Sequence, residues 1–116
     1  MSECIFCRII NGEIPADIVY EDDDVIAFND IKPAAPVHVL IVPKIHTPDI
    51  LSLNANPDSG QIVECVIRAI PVIADKKELT ERGFRIINNC GREGGQTIDH
   101  LHFHLIGGLD LGEKLL

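Results

Sequence analysis

The stretch His100-Leu101-His102-Phe103-His104-Leu105-Ile106, closed by Gly107-Gly108, decides how the chain is read. Polar and apolar residues alternate strictly, which is the period of a half-buried β-strand. Taken as a strand from His100 to Gly107, it turns Leu101, Phe103 and Leu105 toward a core and lines up three imidazoles on the opposite face. Alternate side chains on one strand face stand roughly 6.5–7 Å apart, so a group one phosphate wide can touch the central ring and a neighbour. A solvent face that happens to carry histidines is the plainer alternative. The unbroken apolar underside argues against it, because it supplies a rigid support for polar site residues.

Immediately upstream runs Asn89-Cys90-Gly91-Arg92-Glu93-Gly94-Gly95-Gln96-Thr97. Glycines at this density permit close backbone approach, and the amides of such a loop can form a nest for an anion. A glycine-rich loop between strands is usually only a turn; its position before the histidines gives this one more weight.

With 116 residues, 46% of them hydrophobic, the chain is the size of one domain, expected to span 1–116. A net charge of −8 argues against binding a nucleic-acid polymer, yet leaves room for a mononucleotide held by a few amides. No stretch is long and apolar enough for a membrane span, and no basic-then-apolar leader opens the sequence. A cytoplasmic protein with reduced cysteines is expected.

In chain order, Cys4 to Ile10 reads as a knuckle and short helix ended at Gly12. Ile18–Tyr20 and Val25–Phe28 read as strands joined by the acidic turn Glu21-Asp22-Asp23-Asp24, a solvated hairpin rather than a metal site. His38 to Val42 is apolar enough for a strand buried on both faces. Thr47-Pro48 and Asn56-Pro57 place capping residues before proline, predicting helices from Pro48 to Leu53 and from Pro57 to Leu79. Pro71 predicts a kink or break in the second. Phe84–Asn89 and His100–Gly107 complete five strands. The fold class expected is α+β, a five-stranded antiparallel sheet with one long helix and a short N-terminal helix.

The central imidazole, His102, suits attack on phosphorus: largely neutral at pH 7, it needs no activating base. His104 is near enough to stabilise phosphoryl oxygens or handle a leaving-group proton. Cys4 and Cys7, at knuckle spacing, are compatible with a Cys₂His₂ metal tetrahedron completed by His46 and His100; a metal-free pair is the alternative. His38, on a buried strand, reads as a satisfied core histidine.

Histidine and apolar residues in this order are the signature of the histidine-triad (HIT) superfamily of nucleotide hydrolases and transferases. Cys4-Ile5-Phe6-Cys7, Ile14-Pro15, Tyr20-Glu21-Asp22-Asp23, Ala27-Phe28, Asp30-Ile31, Ala35-Pro36-Val37-His38, Val42-Pro43-Lys44 and Gly94-Gly95-Gln96-Thr97 extend the resemblance to its HINT-like branch. The resemblance implies a homodimer with the sheet continued across its interface, acting on purine nucleotide (AMP or GMP) conjugates such as phosphoramidates. It implies His102 as the nucleophile forming a nucleotidyl-histidine, assisted by His104 and Gln96. Asn89, Gly95, Gln96 and Thr97 would contact phosphate, and Asp30 and Ile31 the ribose; for Asp30 a turn cap is the alternative. Zinc-bearing bacterial relatives, and the related galactose-1-phosphate uridylyltransferases, imply zinc on Cys4, Cys7, His46 and His100. Pro71, Asp99 and a tail lacking tryptophan depart from the pattern. Two other classes compete. A zinc hydrolase would ligate its metal with all three strand histidines, and an interaction module would bind nucleotide with little turnover.

Overall fold

Eight elements organise residues 4–116, the part the computed structural model describes; residues 1–3, the start of the expected domain, lie outside it. In order they are α1 (Ile5–Ile10), β1 (Ile18–Glu21), β2 (Val25–Asn29), β3 (Val37–Pro43), α2 (Ile50–Leu53), α3 (Ser59–Lys76), β4 (Arg85–Ile87) and β5 (Phe103–Gly107). The strands form one antiparallel sheet, β1-β2-β3-β5-β4. The expected α+β class, with its five strands and long helix, is therefore present.

β3 is buried along nearly its whole length because both of its faces are covered. Val39 and Ile41, with Val25, Ala27 and Leu105, pack under the Cys65, Val66, Ala69 and Ile73 stripe of α3. Leu40 and Val42 turn the other way, joining Ile26, Phe28 and Phe6 of α1. Strand alternation then fixes the rest. In the β3–β5 register Leu40 stands opposite His104 and His38 opposite Ile106, so His38 and His104 lie on the Phe6 side, away from α3.

The acidic run is the hairpin turn expected of it. Asp22 accepts from the amides of Asp24 and Val25 and from the Tyr20 hydroxyl.

Several boundaries differ from expectation, each for a physical reason. The strand predicted from His100 begins only at Phe103. Continuing the register would place Leu101 opposite Pro43, which has no amide hydrogen to give the ladder. The Leu101 amide turns instead to the Thr47 carbonyl (2.7 Å). Beneath this segment Leu101 and Leu105 are buried and Phe103 is half-buried, as the alternation requires.

The strand expected at Phe84–Asn89 is only Arg85–Ile87, because the Asn88 side-chain amide donates to the His102 carbonyl and closes the ladder. The two helices begin later than predicted. Asp49 caps α2 by accepting from Ser52 (2.7 Å), while Asn56 accepts from Asp58 in the turn before α3. Pro71 neither breaks nor ends α3, which runs on to Lys76. The bond it deletes would have gone to Ile67, and both residues are exposed, so water can take that carbonyl.

Candidate active site and metal-binding cluster

His100 and His102 are delivered by the segment just ahead of β5, and His104 by β5 itself. Their rings do not converge on one point. His100 turns to the N-terminal knuckle, whereas His102 and His104 lie with ring centroids 5.2 Å apart. The three-histidine chelate of the rival zinc hydrolase is therefore not formed.

His102 is buried, its ring edge-on to Phe6 at 5.0 Å. Its Nδ1 lies 2.7 Å from the carbonyl oxygen of His100. A carbonyl only accepts, so Nδ1 carries the proton and Nε2 keeps its lone pair. The nitrogen remote from the backbone is thus the nucleophilic one.

His104 belongs to a second chain of contacts. The Ala34 amide donates to His38 Nδ1 (3.0 Å), so the neutral His38 ring carries its proton on Nε2. That nitrogen is 2.9 Å from His104 Nδ1 and 3.5 Å from an Asp30 carboxylate oxygen. His104 Nδ1 accepts, which leaves its own proton on Nε2 as a donor. Burial, then the neighbouring His102 and His38, lower the His104 pKa from 6.5 to about 4 against an opposing pull from Asp30. At neutral pH the ring is therefore an uncharged hydrogen-bond donor. Sequence reading missed His38: it is a buried strand histidine, but its partners are those of a site. Only the register across β3 and β5 brings it to His104, and no local pattern encodes that register.

The loop after β4 is braced internally. Gln96 Oε1 accepts from the Gly91 amide (3.0 Å), and its Nε2 donates to the Pro48 and Ile98 carbonyls (2.7 and 2.9 Å). Asn89 Nδ2 donates to the Gly94 carbonyl (2.7 Å). Gly95, at φ +82°, takes a conformation that side chains disfavour, and a Cβ on Gly94 would lie 2.3 Å from the Cys90 carbonyl oxygen. Thr97 is exposed. Asp30 accepts from the Lys32 amide with one carboxylate oxygen and faces His38 with the other. Ile31 beside it is 92% exposed.

Cys4, Cys7, His46 and His100 do converge. Cys4 Sγ and Cys7 Sγ are 3.4 and 3.5 Å from His100 Nδ1, Cys7 Sγ is 3.3 Å from His46 Nδ1, and the two Nδ1 atoms are 3.1 Å apart. Zinc bonds of about 2.0–2.3 Å in a tetrahedron set ligand atoms roughly 3.3–3.8 Å apart, so these four atoms outline a slightly contracted version of that figure. His100 donates Nε2–H to the Pro43 carbonyl (2.7 Å), which leaves its Nδ1 lone pair facing the cluster. The donor set and the ring orientation both fit a tetrahedral metal ion.

Known proteins share this sequence and fold over nearly the whole chain. The chain is 45% identical over 113 residues to the purine nucleoside phosphoramidase of Escherichia coli (strain K12), covering 97% of this chain and 93% of that one. A HIT family hydrolase from Clostridium thermocellum superposes with a TM-score of 0.93 at 46% identity, over 100% of this chain and 99% of that one. A histidine triad protein from Clostridium difficile gives 0.91, also at 46% identity, over 98% and 97%. The model of the HIT domain matches residues 11–111, and the chain belongs to the HIT domain family and is a hydrolase of that family.

Proposed function

We propose that the protein hydrolyses purine nucleoside phosphoramidates, or closely related nucleotidyl conjugates, through a covalent nucleotidyl-His102. The observation that carries this reading is the bond from His102 Nδ1 to the His100 carbonyl, which leaves Nε2 unprotonated beside His104. His102 Nε2 attacks the α-phosphorus, the phosphorus–nitrogen bond breaks, and the amine departs after taking a proton from solvent. Water then displaces the imidazole and releases the mononucleotide, AMP or GMP. His104, uncharged at neutral pH, gives a hydrogen bond from Nε2–H to a phosphoryl oxygen instead of transferring a proton. The low pKa supports the first of the two roles open to it.

The braced loop would present the Thr97 amide, with the Asn89 and Thr97 side chains, to the phosphate, and Gly95, whose own amide is given to the Arg92 carbonyl, would let the phosphate approach the backbone closely. Gln96 would contribute by holding that loop in shape. Asp30 and Ile31 would take the ribose. Zinc on Cys4, Cys7, His46 and His100 would be structural, fastening the N-terminal knuckle to the catalytic segment.

The same reading includes a cytoplasmic homodimer. β4 is an edge strand, and Phe84 just before it and Ile86 within it are apolar and partly exposed. A second copy pairing there would extend the sheet and cover them.

Rapid acid quench during turnover of an adenosine phosphoramidate tests the mechanism. Intact mass should show one added AMP, mapped to His102, and His102→Ala should remove both adduct and turnover while nucleotide binding largely survives. An adduct on His104 or His46, or His102→Ala turning over near the parental rate, would overturn the assignment. Binding without any covalent label would favour the interaction module.

A further inference from the structure

Cys4 and Cys7 stand on one helical turn. Cys4 is the N-cap of α1; its carbonyl accepts from the Arg8 amide (3.1 Å) and its Sγ from the Cys7 amide (3.4 Å). Residues three apart on such a turn have Cα atoms roughly 5–6 Å apart, inside the range of about 4.4–6.8 Å that a disulfide spans. The side chains agree with the backbone. Both sulfurs face the same nitrogen, 3.4 and 3.5 Å from His100 Nδ1, and all four donor atoms of the cluster lie within 4.8 Å of one another. Joining the sulfurs therefore takes rotation of two short side chains rather than a rearrangement of the fold. The pair is also within reach of solvent. The contact of Cys7 with His46 is exposed, whereas that of Cys4 with His100 is half-buried. The other two cysteines are placed differently: Cys65 is buried in the core beneath α3, and Cys90 lies in the loop after β4, outside the cluster.

We propose that Cys4 and Cys7 are a reversible disulfide site whose closure by hydrogen peroxide, or a related hydroperoxide, releases zinc from the cluster. This rests on the reading of the cluster as a zinc site and adds a redox response to its structural role. The Cys7 thiolate, on the open side, attacks one oxygen of the peroxide and expels hydroxide, which leaves a sulfenic acid on Cys7. The Cys4 sulfur then attacks that sulfur, and a second hydroxide departs as the sulfur–sulfur bond forms. Two thiolates have given two electrons to the peroxide, and two solvent protons turn the hydroxides into water. A disulfide sulfur is no longer a thiolate ligand, so His46 and His100 remain, and two imidazoles hold zinc far more weakly than four ligands do. The sulfur–imidazole links between the knuckle and the segment carrying His100 and His102 go with the ion. In a reducing compartment such disulfides are transient and redox-sensing, and a thiol reductant reverses the step.

The test follows zinc and thiols together, with no substrate present. Zinc-loaded protein is treated with a few equivalents of hydrogen peroxide beside a chromophoric zinc indicator. About one zinc per chain should be released as two of the four thiols disappear, and the intact mass should fall by two hydrogens. Peptide mapping should join Cys4 to Cys7, with Cys65 and Cys90 still reduced, and dithiothreitol with added zinc should restore both thiols and metal. Cys7→His keeps four ligands but only one sulfur, and should hold its zinc through the same treatment. If that variant takes up no zinc, the mapped disulfide and zinc release of the parent decide alone.

Zinc kept in place while Cys90 is the thiol consumed would overturn the inference, as would Cys4 and Cys7 ending as sulfinic acids, or disulfides formed only between chains. Failure of the zinc reading looks different. No metal would then be found before peroxide is added, and the switch would fall with it.

Discussion

Lowering the pH should expose the cost of keeping His104 neutral. The folded chain holds its pKa near 4, against 6.5 for an unhindered imidazole. Between those values the unfolded chain binds a proton that the folded chain does not, so stability rises with pH there. The contribution is fully present above pH 6.5, is lost progressively as pH falls, and is gone below about 4. A drop from 6.5 to about 4 corresponds to roughly 3 kcal/mol, and the ring's partial exposure to water discounts it to about 2 kcal/mol. Acid also strips ligands from a Cys₂His₂ cluster, so the parent profile alone cannot isolate the effect. His104→Gln keeps a polar side chain but cannot titrate. Urea denaturation of both proteins from pH 7.5 to 4 should show the parent losing about 2 kcal/mol more than the variant. The His104 ring protons, followed by NMR, should titrate near pH 4. Parallel profiles, or a His104 midpoint above pH 6, would refute the argument.

Elemental analysis of protein purified without chelator should find about one zinc per chain, and Cys4→Ser should lose it together with thermal stability; no zinc after zinc-supplemented expression would refute the assignment. Pro71→Ala restores an amide inside a helix that the proline leaves continuous and should stabilise the fold by about 1–3 kcal/mol in denaturant titration; a loss of stability would mean that the ring has packing unaccounted for. Sedimentation at micromolar concentration should give twice the 12.8 kDa chain mass, and Ile86→Glu, charging the edge strand β4 itself, should shift it to monomer; a monomeric parent would refute the dimer.

How far the sequence could be read depended on whether the deciding partner was local. The continuous apolar run His38–Val42, the acidic hairpin and the 3.6-period α3 stripe are local signals, and all three are present, the strand extending over Val37–Pro43. The strand start at His100 was misread because alternation reports which face a side chain takes, not whether its backbone has a partner. The missing partner is an amide that Pro43 lacks, more than fifty residues away in the chain. The late helix starts have a local cause: Asp49, two residues past Thr47, takes the capping bond from Ser52, and Asn56 gives its side chain to the Asp58 amide in the turn before α3. For the site, the triad spacing marked His102 and His104 directly, and knuckle spacing with resemblance pointed to the four Cys and His residues that the structure draws together. His38 and Asn88 carried no such mark. Each acquires its contact only when β5 lies between β3 and β4.

That strand order has a consequence for synthesis. β4 touches the sheet only through β5, which is the last strand to be made. A nascent chain that has emerged only as far as Ile98 can pair β1, β2 and β3 and lay α3 across them, while β4 waits without a neighbour. The N-terminal knuckle waits too, since His100 and His102, which its Cys4, Phe6 and Cys7 meet, come late in the chain. Insertion of residues 100–107 then closes the sheet, captures the knuckle and brings His102 and His104 to the face that holds His38 in one late step. A chain interrupted before residue 100 would hold a half-built sheet, and residues 100–107 would complete the sheet and the candidate site at once.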